Sequence, residues 1–424
     1  MSERPSARGA ERLPWRSPEL LALRAEVRAF VDAEVIPQES QLRQEDLATE
    51  ARPAETGAPR IGADHGMPTL ARIQTAARAA GLWTPHLPAA WGGRGLDGLG
   101  MCIAFREMGR SPYGGAAFHC DAPDQGNMDL LLRRGAPEQR ERWLRPLANG
   151  AITSAFCMTE PAPGAGADPR NLRTQATRDG DGYRLDGHKW FATGGGRASL
   201  LLVMARTSDD PHRGASIFLV PRDRDGVEHV RDVSTMAEPM LSHREAELRF
   251  HGVRLHADDL LGGEGEGFAL AQQRLVPARL THCMRWLGLG ARALSLCHDH
   301  VQTRLSFGQP LANHQLVQQM LASAATALHA GNLMTLDCAL QLEGGDERGA
   351  RAASSMTKTF VARALCQLLD DAIQMHGSLG FSDDLPFARW SRFARAARIA
   401  DGPDEVHIAT VARDLLAGRI ETLR

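Results

Sequence analysis

Lysine is almost missing from this chain: Lys189 and Lys358 are the only two in 424 residues, and arginine carries nearly all the positive charge. We read this as codon bias before phosphate recognition, because arginine-rich surfaces are common without a ligand. Nor is charge of one sign in excess. Against 51 acidic residues stand 49 basic ones, a net charge of −2, which leaves nothing to draw the chain onto nucleic acid. Cysteines are unpaired in pattern. Cys102, Cys120, Cys157, Cys283, Cys297, Cys338 and Cys366 are odd in number and never form a CxxC. That argues against a disulfide framework or a zinc site and for free thiols in a reducing compartment. No long hydrophobic run exists either. Ala198 to Ala205 is the longest, far short of the ~20 residues a membrane span needs, and Met1 to Arg16 lacks the apolar centre of a secretory signal. A cytoplasmic protein with neither membrane nor nucleic-acid partner is expected.

What is present is length and periodicity. A chain of 424 residues holds two or three domains at ~150 residues each. Ser17-Pro18-Glu19 reads as a helix start, followed at helical spacing by Leu20, Leu23, Val27, Phe30, Val31 and Val35 until Pro37 stops the run. Gln41 to His65 reads as a surface loop. Helical patterns resume at Thr69 to Ala80, Leu99 to Gly109, Asp124 to Arg134 and Pro137 to Asn149. From Ile152 to Leu261 short β-type runs alternate with the turn dipeptides Asp179-Gly180, Asp181-Gly182 and Asp186-Gly187. After Glu264 four amphipathic blocks follow, around 267–304, 315–342, 350–376 and 386–398, joined by short linkers. The expected class is α+β, mainly α. An N-terminal helical domain (1–150) precedes a middle antiparallel β-barrel or sandwich (151–262) and a C-terminal four-helix bundle (263–424).

Two short motifs carry little. Gly93-Arg94-Gly95-Leu96-Asp97-Gly98 fits GxGxxG but follows Pro88-Ala89-Ala90-Trp91-Gly92, not an apolar strand, so it reads as a glycine-rich loop and not a dinucleotide site. His119-Cys120-Asp121 has no second cluster to complete a metal site. No metal is expected. More telling is Ile399-Ala400-Asp401-Gly402-Pro403-Asp404-Glu405-Val406-His407. Glycine and proline form a turn that lets Asp401 point outward, ahead of a helix from about Val406 to Leu416. The same residues allow the plainer reading that Asp401 or Asp404 caps that helix.

Five segments together resemble the acyl-CoA dehydrogenase family, over about Ser17 to Leu416. Ala155-Phe156-Cys157-Met158-Thr159-Glu160-Pro161, with the Gly164 to Asp168 loop, is similar to the strand that members lay along the flavin. The resemblance implies FAD contacts at Phe156, Met158 and Thr159. Gly187-His188-Lys189-Trp190-Phe191-Ala192-Thr193 resembles the GxKxWIT strand, putting Phe191 at the aromatic wall and Thr193 near flavin N5, with the usual tryptophan displaced by one residue. Arg304-Leu305-Ser306-Phe307-Gly308, with Gln315, resembles RxxFGxxL…Q, and Gln374-Met375-His376-Gly377 resembles QxxGGxGF. In the family these segments, here Arg304, Phe307, Gln315, Gln374 and Gly377, reach the FAD of another subunit, which implies a homo-oligomer, dimer or tetramer.

Ala400-Asp401-Gly402-Pro403 aligns with the turn where many members carry the catalytic glutamate. Some members instead place the base on the first bundle helix, where this chain has Ala278 before Arg279. The resemblance therefore implies Asp401 as base, with Gly402 supplying an amide to the thioester carbonyl and Arg279 orienting substrate or base, or forming a structural ion pair. Water exclusion is expected to raise the pKa of that base once substrate binds. The implied reaction is α,β-dehydrogenation of an acyl-CoA to the trans-2-enoyl-CoA, with electron-transfer flavoprotein as acceptor. Ala122-Pro123-Asp124, His282-Cys283-Met284-Arg285 and Asp401 to His407 resemble one subgroup with aspartate in the base turn. Aspartate is one methylene shorter than glutamate, and Ala167 replaces the usual serine of the flavin loop. Two other activities of the same fold fit these residues: a nitroalkane-oxidase-like flavin oxidase, which also uses an aspartate base, and a non-catalytic nucleic-acid-binding flavoprotein.

Overall fold

The computed structural model describes residues 14–50, 62–210, 213–238 and 244–420. Helix α1 (Pro18–Phe30) starts as its sequence dictates: the Ser17 hydroxyl accepts the Leu20 N–H at 3.3 Å and proline occupies the first turn. Its apolar stripe buries Val27, and the path continues through a π turn that buries Val31 and Val35. Pro37 does not stop the helical path. It lies in a one-turn 3-10 segment (Ile36–Gln38) that feeds α2 (Glu39–Glu50), where a loop had been expected. Of the rest of that expected loop, residues 51–61 lie outside the described residues and 63–65 lie in a turn. Polar tertiary contacts explain α2: Glu45 accepts the Thr69 hydroxyl at 2.6 Å, and Arg244 from the β region reaches the Asp46 carboxylate at 3.1 Å. Such contacts leave no trace in apolar periodicity.

Helices α3 (Pro68–Ala79), α4 (Gly98–Met108) and α5 (Asp124–Arg134) follow close to their expected bounds. Asp97 caps α4 by accepting the Gly100 N–H at 2.7 Å, so the Gly93–Gly98 stretch is a loop into a helix with no strand ahead of it. A Cβ on Gly93 would lie 2.0 Å from the Leu87 carbonyl oxygen, which accounts for that glycine by close backbone approach.

The middle region forms one eight-stranded sheet from β1 (Ser154–Cys157), β2 (Gln175–Asp179), β3 (Gly182–Thr193), β4 (Leu200–Arg206), β5 (Ala215–Pro221), β6 (Val227–Val233), β7 (Glu245–Leu255) and β8 (Leu260–Leu261), ordered β6-β7-β3-β2-β4-β5-β8 with β1 beside β4. Pairing is antiparallel except for β1 and β2 against β4. No turn forms at Asp186-Gly187, where one was expected: β3 runs through it, with the irregularity taken up as register shifts against β7 at Leu185/Gly187 and Lys189/Ala192. Both faces of β4 and β5 are buried. Leu201, Val203, Phe218 and Val220 pack with Tyr183 and Phe250, while Leu200, Leu202, Ile217 and Leu219 pack against Leu130, Trp143 and Leu270. This second cluster fixes the sheet to the helices on either side of it in sequence.

Three long helices, α6 (Gly267–Thr303), α7 (Gln315–Glu343) and α8 (Glu347–His376), build the C-terminal bundle, and α9 (Phe387–Ala396) and α10 (Asp404–Leu416) pack against α8. The fourth member is therefore a pair of shorter helices, split by the 397–403 turn. Among the described residues no helix is long and apolar enough to cross a membrane.

Candidate active site

The turn between α9 and α10 is held by its backbone. Asp401 has φ +54° and Gly402 φ +101°, angles that glycine adopts freely and aspartate tolerates better than most residues. The Asp401 carbonyl accepts Arg279 Nε at 2.8 Å and lies 3.2 Å from His407 Nε2, and the Gly402 carbonyl accepts Lys358 Nζ at 2.7 Å. Asp404, 1% exposed, receives Arg398 Nε at 2.9 Å and Arg363 Nε at 3.0 Å on Oδ2. Pro403 occupies the N-cap of α10. The helix-anchoring role thus falls to Asp404 through two arginines, and the Asp401 side chain is left free of it.

That side chain is the unusual group of the turn. Asp401 Oδ2 is buried without a formed hydrogen bond, and His282 Nε2 on α6 lies 3.4 Å away. Burial raises its pKa, but the contact with His282 and the positive charges of Arg274 and Arg279 outweigh burial and hold the carboxyl below the ordinary carboxylate range. It is ionised at neutral pH, as a proton acceptor must be. Of the sequence-derived residues, the structure brings Asp401, Gly402 and Arg279 together; sequence reasoning missed His282, Arg274, Lys358 and His407 around them.

Arg274 connects this turn to the β1 strand. Phe156 is half-buried, with the Arg274 guanidinium 4.3 Å above its ring. Arg274 Nε donates to Asn127 Oδ1 at 2.7 Å, and Asn127 donates to the Ser154 hydroxyl at 2.9 Å, so α6, α5 and β1 meet at the arginine whose charge acts on Asp401. Ser154 in turn donates N–H and O–H to Asp124, whose burial pushes its pKa up to about 7. Past β1, Met158 and Thr159 are half-buried. The Thr159 carbonyl accepts the Trp190 N–H at 3.0 Å, and Lys189 Nζ donates to the Met158 carbonyl at 3.0 Å and to Glu160 Oε1 at 2.8 Å. Glu160 also accepts the backbone N–H groups of Ala165, Arg173 and Thr174. Burial raises its pKa, but the Lys189 charge and these bonds more than offset it and hold Glu160 at about 2.

Glu160 therefore contributes stability that is fully present above its unfolded pKa of about 4.5 and is lost as pH falls toward 2. An acid titration of the unfolding midpoint is expected to show that loss in wild type and not in Glu160→Gln.

Phe191, at φ +48° on the irregular part of β3, is 43% exposed and meets Trp190 edge-on at 5.0 Å. Thr193 donates its hydroxyl to Glu245 at 2.9 Å. An uncovered aromatic ring next to the half-buried Met158 and Thr159 fits a flat heteroaromatic group. Among the described residues no set of His, Cys, Asp and Glu is arranged to hold a metal ion.

The remaining sequence-derived residues lie at the other end of the bundle. Arg304 follows the last residue of α6, 25 positions beyond Arg279, which at 1.5 Å per residue is about 37 Å along the helix. There His300 stacks on His376 at 4.0 Å, so Arg304, Phe307, Gln315, Gln374 and Gly377 share one end, all of them exposed. Phe307 has φ +49° and is 96% exposed, Phe381 79% and Leu316 71%. No single planar ring could touch this end and Asp401 of the same chain.

An ionised carboxylate on a fixed turn, with the uncovered Phe191 ring on β3, fits a flavoprotein oxidoreductase. Family models described as the N-terminal, middle and C-terminal domains of acyl-CoA dehydrogenase match residues 17–151, 155–253 and 265–416. The chain belongs to the acyl-CoA dehydrogenase family and is an FAD-dependent oxidoreductase. FadE2 of Mycobacterium tuberculosis is 40% identical over 374 residues, 87% of this chain and 89% of that protein. The mouse protein acyl-CoA dehydrogenase family member 11 is 37% identical over 81% of this chain, and the match covers 44% of its own length. A solved acyl-CoA dehydrogenase structure from Mycobacterium abscessus superposes with a TM-score of 0.85 and 38% identity, over 99% of this chain and 100% of that one.

Proposed function

We propose that the protein oxidises an acyl-CoA to the trans-2-enoyl-CoA with Asp401 as the base. The observation that carries this reading is the ionised Asp401 carboxylate, with Oδ2 buried 3.4 Å from His282, on a turn whose backbone is fixed by Arg279, His407 and Lys358. Asp401 takes the proton from Cα of the thioester. Positioned proton transfer of this kind is worth roughly 10²–10⁴-fold in rate. FAD, when bound, supplies the hydride acceptor for Cβ. Phe156, Met158, Thr159, Phe191 and Thr193 would hold its ring, and the Gly402 amide would bind the thioester carbonyl. The clamps on the turn are all to backbone carbonyls, which supports Arg279 as a residue that places the base.

Arg304, Phe307, Gln315, Gln374 and Gly377 would bind the FAD of a second copy. Their exposure at the far end of the bundle, amid uncovered Phe307, Leu316 and Phe381, supports a homo-oligomer. Electron-transfer flavoprotein as acceptor, a cytoplasmic location, and domain divisions near 150/151 and 262/263 complete the reading. Arg304→Ala is expected to weaken FAD retention about tenfold or more, since a charged hydrogen bond to phosphate is lost. FAD content unchanged after gel filtration would count against a shared site.

The deciding experiment is a titration of the purified holoprotein with a panel of acyl-CoAs and with nitroalkanes, following flavin absorbance. Bleaching by thioesters is expected. Bleaching by nitroalkanes alone would overturn the proposal, and salt-sensitive DNA binding with no flavin reduction would favour a non-catalytic role.

A further inference from the structure

His282 lies on α6 between Arg279 and Arg285, and neither composition nor family pattern gives it a task. Its two ring nitrogens face different partners. Nε2 is 3.4 Å from Asp401 Oδ2, and Nδ1 is 3.2 Å from Arg285 Nη2. A guanidinium only donates hydrogen bonds. Nδ1 must therefore present its lone pair to Arg285, and the single proton of a neutral ring must sit on Nε2, aimed at Asp401. The ring is fixed further by stacking on Trp286, with centroids 5.4 Å apart and planes 21° apart. Arg285 is itself fixed, donating to the Cys120 carbonyl at 2.8 Å and lying 3.5 Å from the Asp121 carboxylate.

The geometry points to His282 as a positioning residue for the base: a neutral Nε2–H donor that holds Asp401 Oδ2 and leaves Oδ1 as the oxygen that takes the Cα proton. This rests on Asp401 being the base. In the step, the Cα–H bond breaks and an Oδ1–H bond forms, while the Cβ hydride goes to the flavin of the family reaction. His282 cannot take the proton onward, because Nε2 already carries one and Nδ1 faces a cation. The proton accordingly stays on Asp401 until product leaves.

Around this pair Arg274 and Arg279 on α6 and Lys358 on α8 add positive charge, Asp121 behind Arg285 acts on His282 in the opposite direction, and His407 on α10, lowered to about 4 by burial and the neighbouring cations, is neutral at neutral pH. Burial and the Arg285 charge lower the His282 pKa in spite of Asp401, which keeps the ring neutral at neutral pH. The 3.4 Å separation is long for a hydrogen bond, and such contacts tighten when substrate excludes water.

Two measurements test this. In ¹⁵N spectra of histidine-labelled full-length protein, with His282→Gln identifying the resonance, the Nε2–H tautomer is expected; a protonated Nδ1 would overturn the assignment. In stopped-flow flavin reduction by the best acyl-CoA of the panel, His282→Phe removes the donor to the charged carboxylate. The acid limb of the pH–rate profile is expected to move to higher pH and the plateau rate to fall about 10–100-fold. His282→Gln, whose amide also donates, is expected to recover most of both. A His282→Phe profile unshifted and within twofold of wild type, or a His282→Gln variant no better than an unshifted His282→Phe, would reduce His282 to packing. Asp401→Asn separates the two ideas. If it still reduces flavin, the base assignment fails; if it is dead while His282→Phe is unshifted, only this inference fails.

Discussion

Asp401→Asn is expected to bind FAD with an unchanged absorbance spectrum and to reduce it with acyl-CoA roughly 10²–10⁴-fold more slowly than wild type. The change is nearly isosteric, and the turn should survive it. All the clamps on residues 401 and 402 are made to backbone carbonyls, and asparagine tolerates a left-handed φ of +54° as readily as aspartate. What disappears is the charge that Arg274, Arg279 and His282 are arranged around. Asp401→Glu tests placement separately: the backbone cannot retreat, so the added methylene carries the carboxyl past its position by more than 1 Å, a displacement that costs about 10²-fold. Wild-type reduction rates in Asp401→Asn would remove this residue from the mechanism.

The parts of this molecule that were legible in sequence are those governed by periodicity and by short motifs. The stripe through Val27, Val31 and Val35, the cap at Ser17, the Asp179–Gly182 turn and the long bundle helices all record local rules, whereas Asp186-Gly187 lies inside β3. Helix α2 was not legible, because it is held by Thr69 and Arg244 from distant segments. Strand β6 carries little apolar alternation for a related reason, being largely exposed at the sheet edge with Val230 the one apolar residue between Glu228 and Asp232. Within the site, the Asp401 turn was visible as a motif, whereas His282 and Arg274 are ordinary residues on a helix until folding sets them against it. In a chain that uses arginine almost everywhere, the two retained lysines are both fully buried, and each donates to a backbone carbonyl, Met158 for Lys189 and Gly402 for Lys358. A compact ammonium with three divergent donors fits such a site, and a planar guanidinium does not. The rarity attributed to codon bias thus marks, by its exceptions, the segments that hold the chain after β1 and the Asp401 turn.

The same exceptions give the second large effect. Lys189→Met leaves Glu160 ionised and buried with its cationic partner gone, and removing one member of a buried ion pair costs about 3–5 kcal/mol. The loss is best read from urea unfolding of the apoprotein, because bound FAD would mask part of it. Lys189→Arg should not restore stability, for want of room. The pH dependence is the sharper check. In wild type the low pKa of Glu160 makes its contribution present above about 4.5 and lost as pH falls toward 2. In Lys189→Met burial acts with far less opposition, the Glu160 pKa rises, and protonation relieves an uncompensated charge. The deficit relative to wild type should be greatest at neutral pH and shrink on acidification, because the wild type loses its advantage while the variant sheds its burden. The Met158 and Thr159 carbonyls are tied to β3 through Lys189 and the Trp190 amide, so FAD affinity should fall together with stability. A variant within 1 kcal/mol of wild type at pH 7, or a deficit that does not change with pH, would show that the Lys189–Glu160 pair does not hold the strand.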